Sequence, residues 1–491
     1  MRPRHPTPGH RSAIVRPGHD GRPHPDPRAD PPTEVLDPAG APTVRLRAVV
    51  ADTVRIPAVQ RGGAPTDDTG NAGLNDGLAL SLSSLLNSVA GFLFWIIAAR
   101  LMVPAVVGEA QLVVNALILV GGAAQLNLGI GLMRWLPGAG RHTTRLIWTS
   151  LLLIMPLSGL VGLVYALVVP QLAEISAGPD GPFGLGLLLF VLGCAGWGVF
   201  VVHDFIVVAL GKAWWAVWRN GFFAAARLGL LVVLAGVAGL GSYGAALSWL
   251  VPIVVFVAAG SAVIALLARR VTRDAPAGTV PTRKEALAFL GPTAVGQMGG
   301  VLLYNQVPLL LNLRFGTETG AVFFIVWQAV TVLDIAGMFF MNSLAVNVAR
   351  EPHRAAELAA ATRRRLLVIF LPALALGAAL AHPLLLLFFG PAYAEADTVL
   401  QLLLLGLAFR LVVLHELGVR QAVGQAMGYA RLQLVSTVLV LLVAAVVPVV
   451  GGGVSALVPV ALGYIAVQVV CAAAVIFSPA RRRAELEVPS R

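Results

Sequence analysis

Charge is scarce in this sequence. Only 12% of its 491 residues are Asp, Glu, Lys or Arg, about half the usual share of a soluble domain, roughly 25%. Cysteine is rarer still: Cys194 and Cys471, each inside apolar text, which excludes a disulfide framework and any cysteine metal site. Lysine is almost missing, with Lys212 and Lys284 against 33 arginines. Long polar loops are absent beyond residue 75, leaving no room for a soluble catalytic domain. No glycine-rich phosphate loop, paired metal ligands or nucleophile elbow occurs. Glycines such as those in "NLGIGLMRW" (127–135) lie in apolar blocks, where they permit close helix packing. These absences argue against an enzyme and imply no cofactor or metal. The net charge of +11 does not indicate nucleic acid, because the basic residues cluster in the connections between apolar blocks.

What is present is apolar text in blocks of about 20 residues or more, the length that crosses a bilayer. Twelve spans are expected, near 78–99, 106–131, 146–170, 183–208, 213–237, 243–267, 287–312, 320–346, 366–389, 398–419, 429–450 and 454–477. The fold class is all-α and polytopic. Residues 1–75, rich in Pro, Arg, His and Asp, cannot bury enough surface to offset chain entropy, and read as a disordered tail. The stretch at 43–59 is a candidate for weak ordering on a membrane or partner.

The charges orient the spans. With the tail inside, one set of connections holds Arg134, Arg141 and Arg145, then Lys212 and Arg219, then Arg269, Arg270, Arg273, Arg283 and Lys284. The set continues through Arg350, Arg354 and Arg363 to Arg365, then Arg420 and Arg431, and ends in the basic run after Pro479. The opposite connections hold only Arg100 and Arg314, with Glu109, Glu174, Asp180, Glu318, Glu395 and Asp397. This positive-inside asymmetry predicts that both termini are cytoplasmic.

An internal repeat divides the chain. "AARLMVPAVVGEAQLVVNAL" ends the first span and opens the second; "LNLRFGTETGAVFFIVWQAV" does the same for the seventh and eighth. Arg100 and Gly108 match Arg314 and Gly320, and Arg134 with Pro137 matches Arg350 with Pro352. Six spans return the chain to the same side, so the halves share an orientation and enclose a cavity suited to alternating access. The expected units are an N-terminal lobe at 78–268, a cytoplasmic linker at 269–286, a C-terminal lobe at 287–477 and a basic cytoplasmic tail at 478–491.

Three stretches resemble a known family. "LFWIIAARLMVPAVVGEAQ" (93–111) with "QLNLGIGLMRWLP" (125–137), "WRNGFFAAARLGLLV" (218–232) and "LFFGPAYAEADTVLQLLLLGL" (387–407) are similar in order and spacing to bacterial polysaccharide-biosynthesis flippases. These form the Wzx-like branch of the multidrug/oligosaccharidyl-lipid/polysaccharide exporters. The resemblance covers about residues 78–477. It implies two six-helix lobes around a central cavity in the bacterial plasma membrane. It also implies a polyprenyl-pyrophosphate-linked sugar repeat as cargo, and glycan-assembly proteins as partners.

The ionisable groups inside the spans are the site candidates. A charge at a helix centre costs about 2.5–3.5 kcal/mol on insertion scales, so such groups must face one another or water. Asp204 and Arg219 lie at similar depth across a helical hairpin and are expected to form a structural ion pair. Arg227 lies eight residues beyond Arg219, about 12 Å deeper, level with Asp334 and Arg410. Arg227 and Arg410 are candidate cavity arginines, able to grip a phosphate with forked hydrogen bonds. Asp334 is either a cavity residue or a partner for one of them. Gln297 and Asn305 are candidates for sugar hydroxyls, and Asp334, His415 and Glu416 for proton or sodium coupling. A drug or cation antiporter of the same superfamily and a membrane-embedded glycan polymerase or ligase are the alternatives. The first would favour acidic groups in its cavity; the second would need a large external catalytic loop.

Overall fold

The computed structural model describes residues 68–169, 171–172, 185–273 and 275–478. The readings on residues 1–67, on Glu174 and Asp180, and on the basic run after Pro479 lie outside them. The described chain is helical almost throughout, as expected of an all-α membrane protein, with one isolated β-bridge, Gly140 to Ala277. Nine described helices are long and apolar enough to cross a bilayer, and two bent helix pairs also qualify. Leu86–Leu101 adds a shorter apolar stretch.

The first half comprises α1 (Asp68–Leu101), α2 (Pro104–Ala124), α3 (Leu128–Trp135), α4 (Thr143–Val168), α5 (Leu185–Ala209), α6 (Ala213–Leu231) and α7 (Gly241–Thr272). The second comprises α8 (Arg283–Val301), α9 (Val307–Phe315), α10 (Thr317–Arg350), α11 (Ala355–Ala379), α12 (Ala381–Phe388), α13 (Pro391–Ala394), α14 (Asp397–Ala422), α15 (Ala426–Val446) and α16 (Val458–Ile476). Helix starts follow local chemistry. Pro104 opens α2, where a missing N–H costs nothing, and Thr282 with Glu285 forms a capping box on α8.

Two expected spans differ from straight helices. The block at 106–131 breaks because Leu126 and Asn127 adopt left-handed backbone angles, with φ of 47° and 60°, before α3 resumes. The block at 287–312 contains a π-helical turn, Leu302–Gln306. Pro308 follows it and has no N–H for the Tyr304 carbonyl four residues back, which favours the wider turn there. α1 also reaches back to Asp68, ten residues before the expected first span.

In the first half α1 packs on α6, and α5 lies against α2, α4 and α7. In the second, α14 lies against α10, α11 and α16, while α8 packs on α15. The halves meet along α2 and α10. The repeated glycines explain part of this contact. A Cβ on Gly108 would stand 2.0 Å from the Thr317 carbonyl oxygen, so α2 and α10 begin in backbone contact. A Cβ on Gly320 would lie 2.5 Å from Asn312 Cα. Asn312 ties the same seam, donating to the Gly108 carbonyl at 2.9 Å and to Gln111 Oε1 at 2.6 Å. Large apolar side chains such as Leu152, Val168, Val368 and Val470 point outward. Such a periphery suits lipid.

Candidate functional site

Among the described residues, buried arginines interrupt the apolar interior in three places. The first joins α5 and α6. Arg219 Nη2 donates to Asp204 Oδ1 at 2.8 Å, to the Phe200 carbonyl at 3.0 Å and to Asn220 Oδ1 at 3.2 Å. Asn220 Nδ2 donates to the second Asp204 oxygen at 2.8 Å and to Ser83 on α1 at 2.7 Å. The guanidinium carbon lies 3.9 Å from the Phe200 ring centroid. Both carboxylate oxygens are therefore occupied from within the protein, and three helices are tied together. His203 is fully buried beside this cluster, 3.4 Å from the Ser261 hydroxyl.

The second cluster contains Arg227, one helical stretch further along α6. Its guanidinium stands 4.2 Å from the Trp249 ring centroid, 5.4 Å from Phe223 and 5.6 Å from Phe94. Nε and Nη2 are enclosed and have no hydrogen-bond partner. No described carboxylate pairs with it. Aromatic faces attract a cation through their quadrupoles, by about 0.5–2 kcal/mol each, but they accept no conventional hydrogen bond from all five N–H groups. Arg227 therefore retains a strong preference for an anion.

The third cluster lies in the second half. Arg410 on α14 donates from Nε to Asp334 Oδ1 on α10 at 2.9 Å, with both side chains almost wholly buried. Tyr304, in the π turn, donates its hydroxyl to Asp334 Oδ2 at 2.7 Å. Tyr304 also lines a cavity of about 260 Å³. Gln297, Tyr304, Asn305, Tyr429 and Gln433 supply its polar lining; Val301, Ile335 and Met338 supply the apolar part. Gly296 and Gly300 complete the lining, and a Cβ on Gly300 would meet only Tyr304, at 3.9 Å. A Cβ fits at this position, and a larger side chain would extend into space beside Tyr304.

The candidate residues are thus distributed. Asp334 and Arg410 come together as an ion pair; Gln297 and Asn305 share the adjoining cavity. Arg410 and Arg227 do not line that cavity: Arg410 joins Asp334, to which Tyr304 bonds from the cavity, and Arg227 belongs to the aromatic cluster of the first half. Asn305 also donates to the Val301 carbonyl at 3.0 Å. His415 Nε2 lies 3.0 Å from the Ala359 carbonyl, and Glu416 accepts from Arg420 at 2.8 Å one helical turn away. Sequence reasoning passed over Tyr304, Tyr429, Gln433 and Asn220. The usable signal was rarity: the chain has six tyrosines, and two of them line one cavity.

Neither a family model nor a curated protein matches the chain. Solved structures do. The fold resembles that of an inward-facing multidrug resistance MATE family transporter of the MOP superfamily, at 17% identity and a TM-score of 0.60, covering 85% of this chain and 100% of that one. A variant of the Vibrio cholerae MATE transporter VcmN matches at 14% identity and a TM-score of 0.54, over 84% of this chain and 98% of that one. An outward-facing MATE family transporter matches at 18% identity and a TM-score of 0.51, over 83% and 94%. The chain is a polytopic α-helical membrane protein with the fold of MATE transporters.

Proposed function

We propose that this chain is an alternating-access exporter in the bacterial plasma membrane, with both termini cytoplasmic. Its cargo in this reading is an oligosaccharide linked to polyprenyl (pyro)phosphate, moved from the cytoplasmic to the external leaflet for surface polysaccharide synthesis. Glycan-assembly proteins would supply and receive it. The observation that carries the reading is the character of the second-half cavity. Its polar lining is uncharged, and the carboxylate bonded to its Tyr304, Asp334, also accepts from Arg410. Neutral amide and phenol groups suit sugar hydroxyls, which act as both donors and acceptors. At about 260 Å³ the cavity lies near the small end of ligand sites, the scale of a single ring.

Arg227 supports the same cargo from the first half. Its unpartnered N–H groups would donate to a phosphate, replacing hydration that the anion cannot keep in hydrocarbon. The polyprenyl tail would stay in lipid. Asp334, His415 and Glu416 remain the candidates for coupling to protons or sodium.

A drug or cation antiporter is the second reading, because the structural neighbours include multidrug transporters. Flipping of a fluorescent undecaprenyl-pyrophosphate sugar in proteoliposomes separates the two. Expected are flipping by the parent chain, its loss in Gly300→Leu, and no uptake of ethidium. Ethidium transport without flipping would replace the proposal by the antiporter.

A further inference from the structure

Arg100 and Arg314 occupy matching places in the internal repeat, at the ends of α1 and α9. Both guanidinium groups bind the carbonyl end of another helix. Their targets differ in a way the repeat does not predict. Arg314 stays within the second half, donating to the Ala444 carbonyl at 2.5 Å and the Val447 carbonyl at 2.9 Å at the end of α15. Arg100 crosses to the other half. Its Nε donates to the Phe388 carbonyl at 3.0 Å, and its Nη2 to Leu386 at 3.0 Å and to Leu387, all on α12.

The crossing satisfies the α12 terminus completely. The last four carbonyls of a helix lack intrahelical partners. Leu385 receives the Phe389 and Gly390 amides at 2.9 and 3.1 Å, and Arg100 takes the other three. In the first half the position matching the α15 terminus is the end of α6, which closes on itself. Ala238 donates to Val233 at 2.8 Å and Leu240 to Leu234 at 3.0 Å, and a Cβ on Gly236 would lie 3.3 Å from the Leu101 side chain. Arg100 donates to no carbonyl of that terminus and reaches outward instead.

Solvation separates the two contacts further. Ala444 is 1% exposed, so losing Arg314 would leave a buried carbonyl without a donor. Leu386, Leu387 and Phe388 are 44%, 67% and 40% exposed, and Arg100 is exposed as well. These three residues lie at the surface of the bundle, so losing Arg100 leaves no enclosed carbonyl behind. One contact is buried and the other superficial. The neighbouring inter-half contacts at this end are also ones that separation would break: Phe92 against Phe389 at 5.7 Å and Trp95 against Phe324 at 4.7 Å.

We infer that Arg100 is the releasable latch that holds the two halves closed at the end of the bundle where α1 stops and α10 begins, while its repeat counterpart Arg314 is a fixed brace. This assignment does not depend on the cargo. The test uses full-length protein in lipid nanodiscs, with Cys194→Ala and Cys471→Ala and a reporter, Ala321→Cys, at a fully buried position just past the first turn of α10. Maleimide labelling of the reporter reads how often this end opens, as a population shift. Arg100→Ala is expected to label about tenfold faster than the parent, with little change in melting temperature. Arg314→Ala should melt earlier yet label at the parental rate. Equal labelling in Arg100→Ala and the parent would overturn the latch, as would equal acceleration by Arg314→Ala. If Arg100→Ala does not accumulate, Arg100→Lys is read instead. Lysine cannot fork across three carbonyls, so faster labelling is expected and a parental rate refutes the assignment.

Discussion

The Tyr304 hydroxyl donates to Asp334 at 2.7 Å, and Tyr304 also lines the second-half cavity. One side chain therefore touches both the cavity and a buried ion pair. Tyr304 lies within the π turn, where the helix widens without ending.

Tyr304→Phe keeps the ring and removes the donor. The Asp334 oxygen then loses a partner in a site with little water, at a cost of about 1–3 kcal/mol. The expected result is a lower melting temperature in detergent with an unchanged helical spectrum. An unaltered melting curve would mean that this hydrogen bond contributes nothing.

Breaking the Asp334–Arg410 pair from one side should be worse than removing it whole. A single partner left behind is a buried, uncompensated charge, costing about 3–5 kcal/mol. Asp334→Asn and Arg410→Met should each reduce folded yield sharply. The double variant should recover part of the loss in a thermal-melting double-mutant cycle.

The same logic applies to Asp204 and Arg219, with a smaller recovery. Arg219→Ala strands Asp204, whose second oxygen still holds Asn220. Yield should fall, and Asp204→Asn should restore part of it. Fluorescence-detected size exclusion in detergent reads both. Failure of the second change to help would argue that the Phe200 and Asn220 contacts, and not the charge pair, hold α5 to α6.

Arg227→Met should behave differently. No carboxylate is stranded, and an apolar side chain suits the Phe94, Phe223 and Trp249 surroundings. Melting temperature should stay level or rise, while flipping of the lipid-linked sugar falls at least about tenfold, the equivalent of one good hydrogen bond to an anion. Unimpaired flipping would remove Arg227 from the cargo path.

Gly108→Ala tests the seam between the halves. Its Cβ would meet the Thr317 backbone oxygen at 2.0 Å, which neither helix can absorb without shifting. Overpacking of this kind costs about 1–3 kcal/mol. The variant should melt earlier. In the maleimide assay its Ala321→Cys reporter should label faster than the parent's.

Composition alone determined the class. So few charges and so many long apolar blocks leave no alternative to a bundle of helices in lipid, and period and block length are local properties that a sequence displays directly. The repeat was legible for the same reason: Arg100, Gly108, Arg314 and Gly320 stand at matching intervals in the text. Depth was legible as well, since helical rise converts residue number into height, and it brought Asp334 level with Arg410. Direction was not. Which way a side chain points about its helix, and which neighbour it meets, follows from packing among many helices at once. Only the tertiary structure could send Arg410 to Asp334 and enclose Arg227 in aromatic rings. It alone opened a cavity beside Tyr304, and carried Arg100 across to the other half while Arg314 stayed at home.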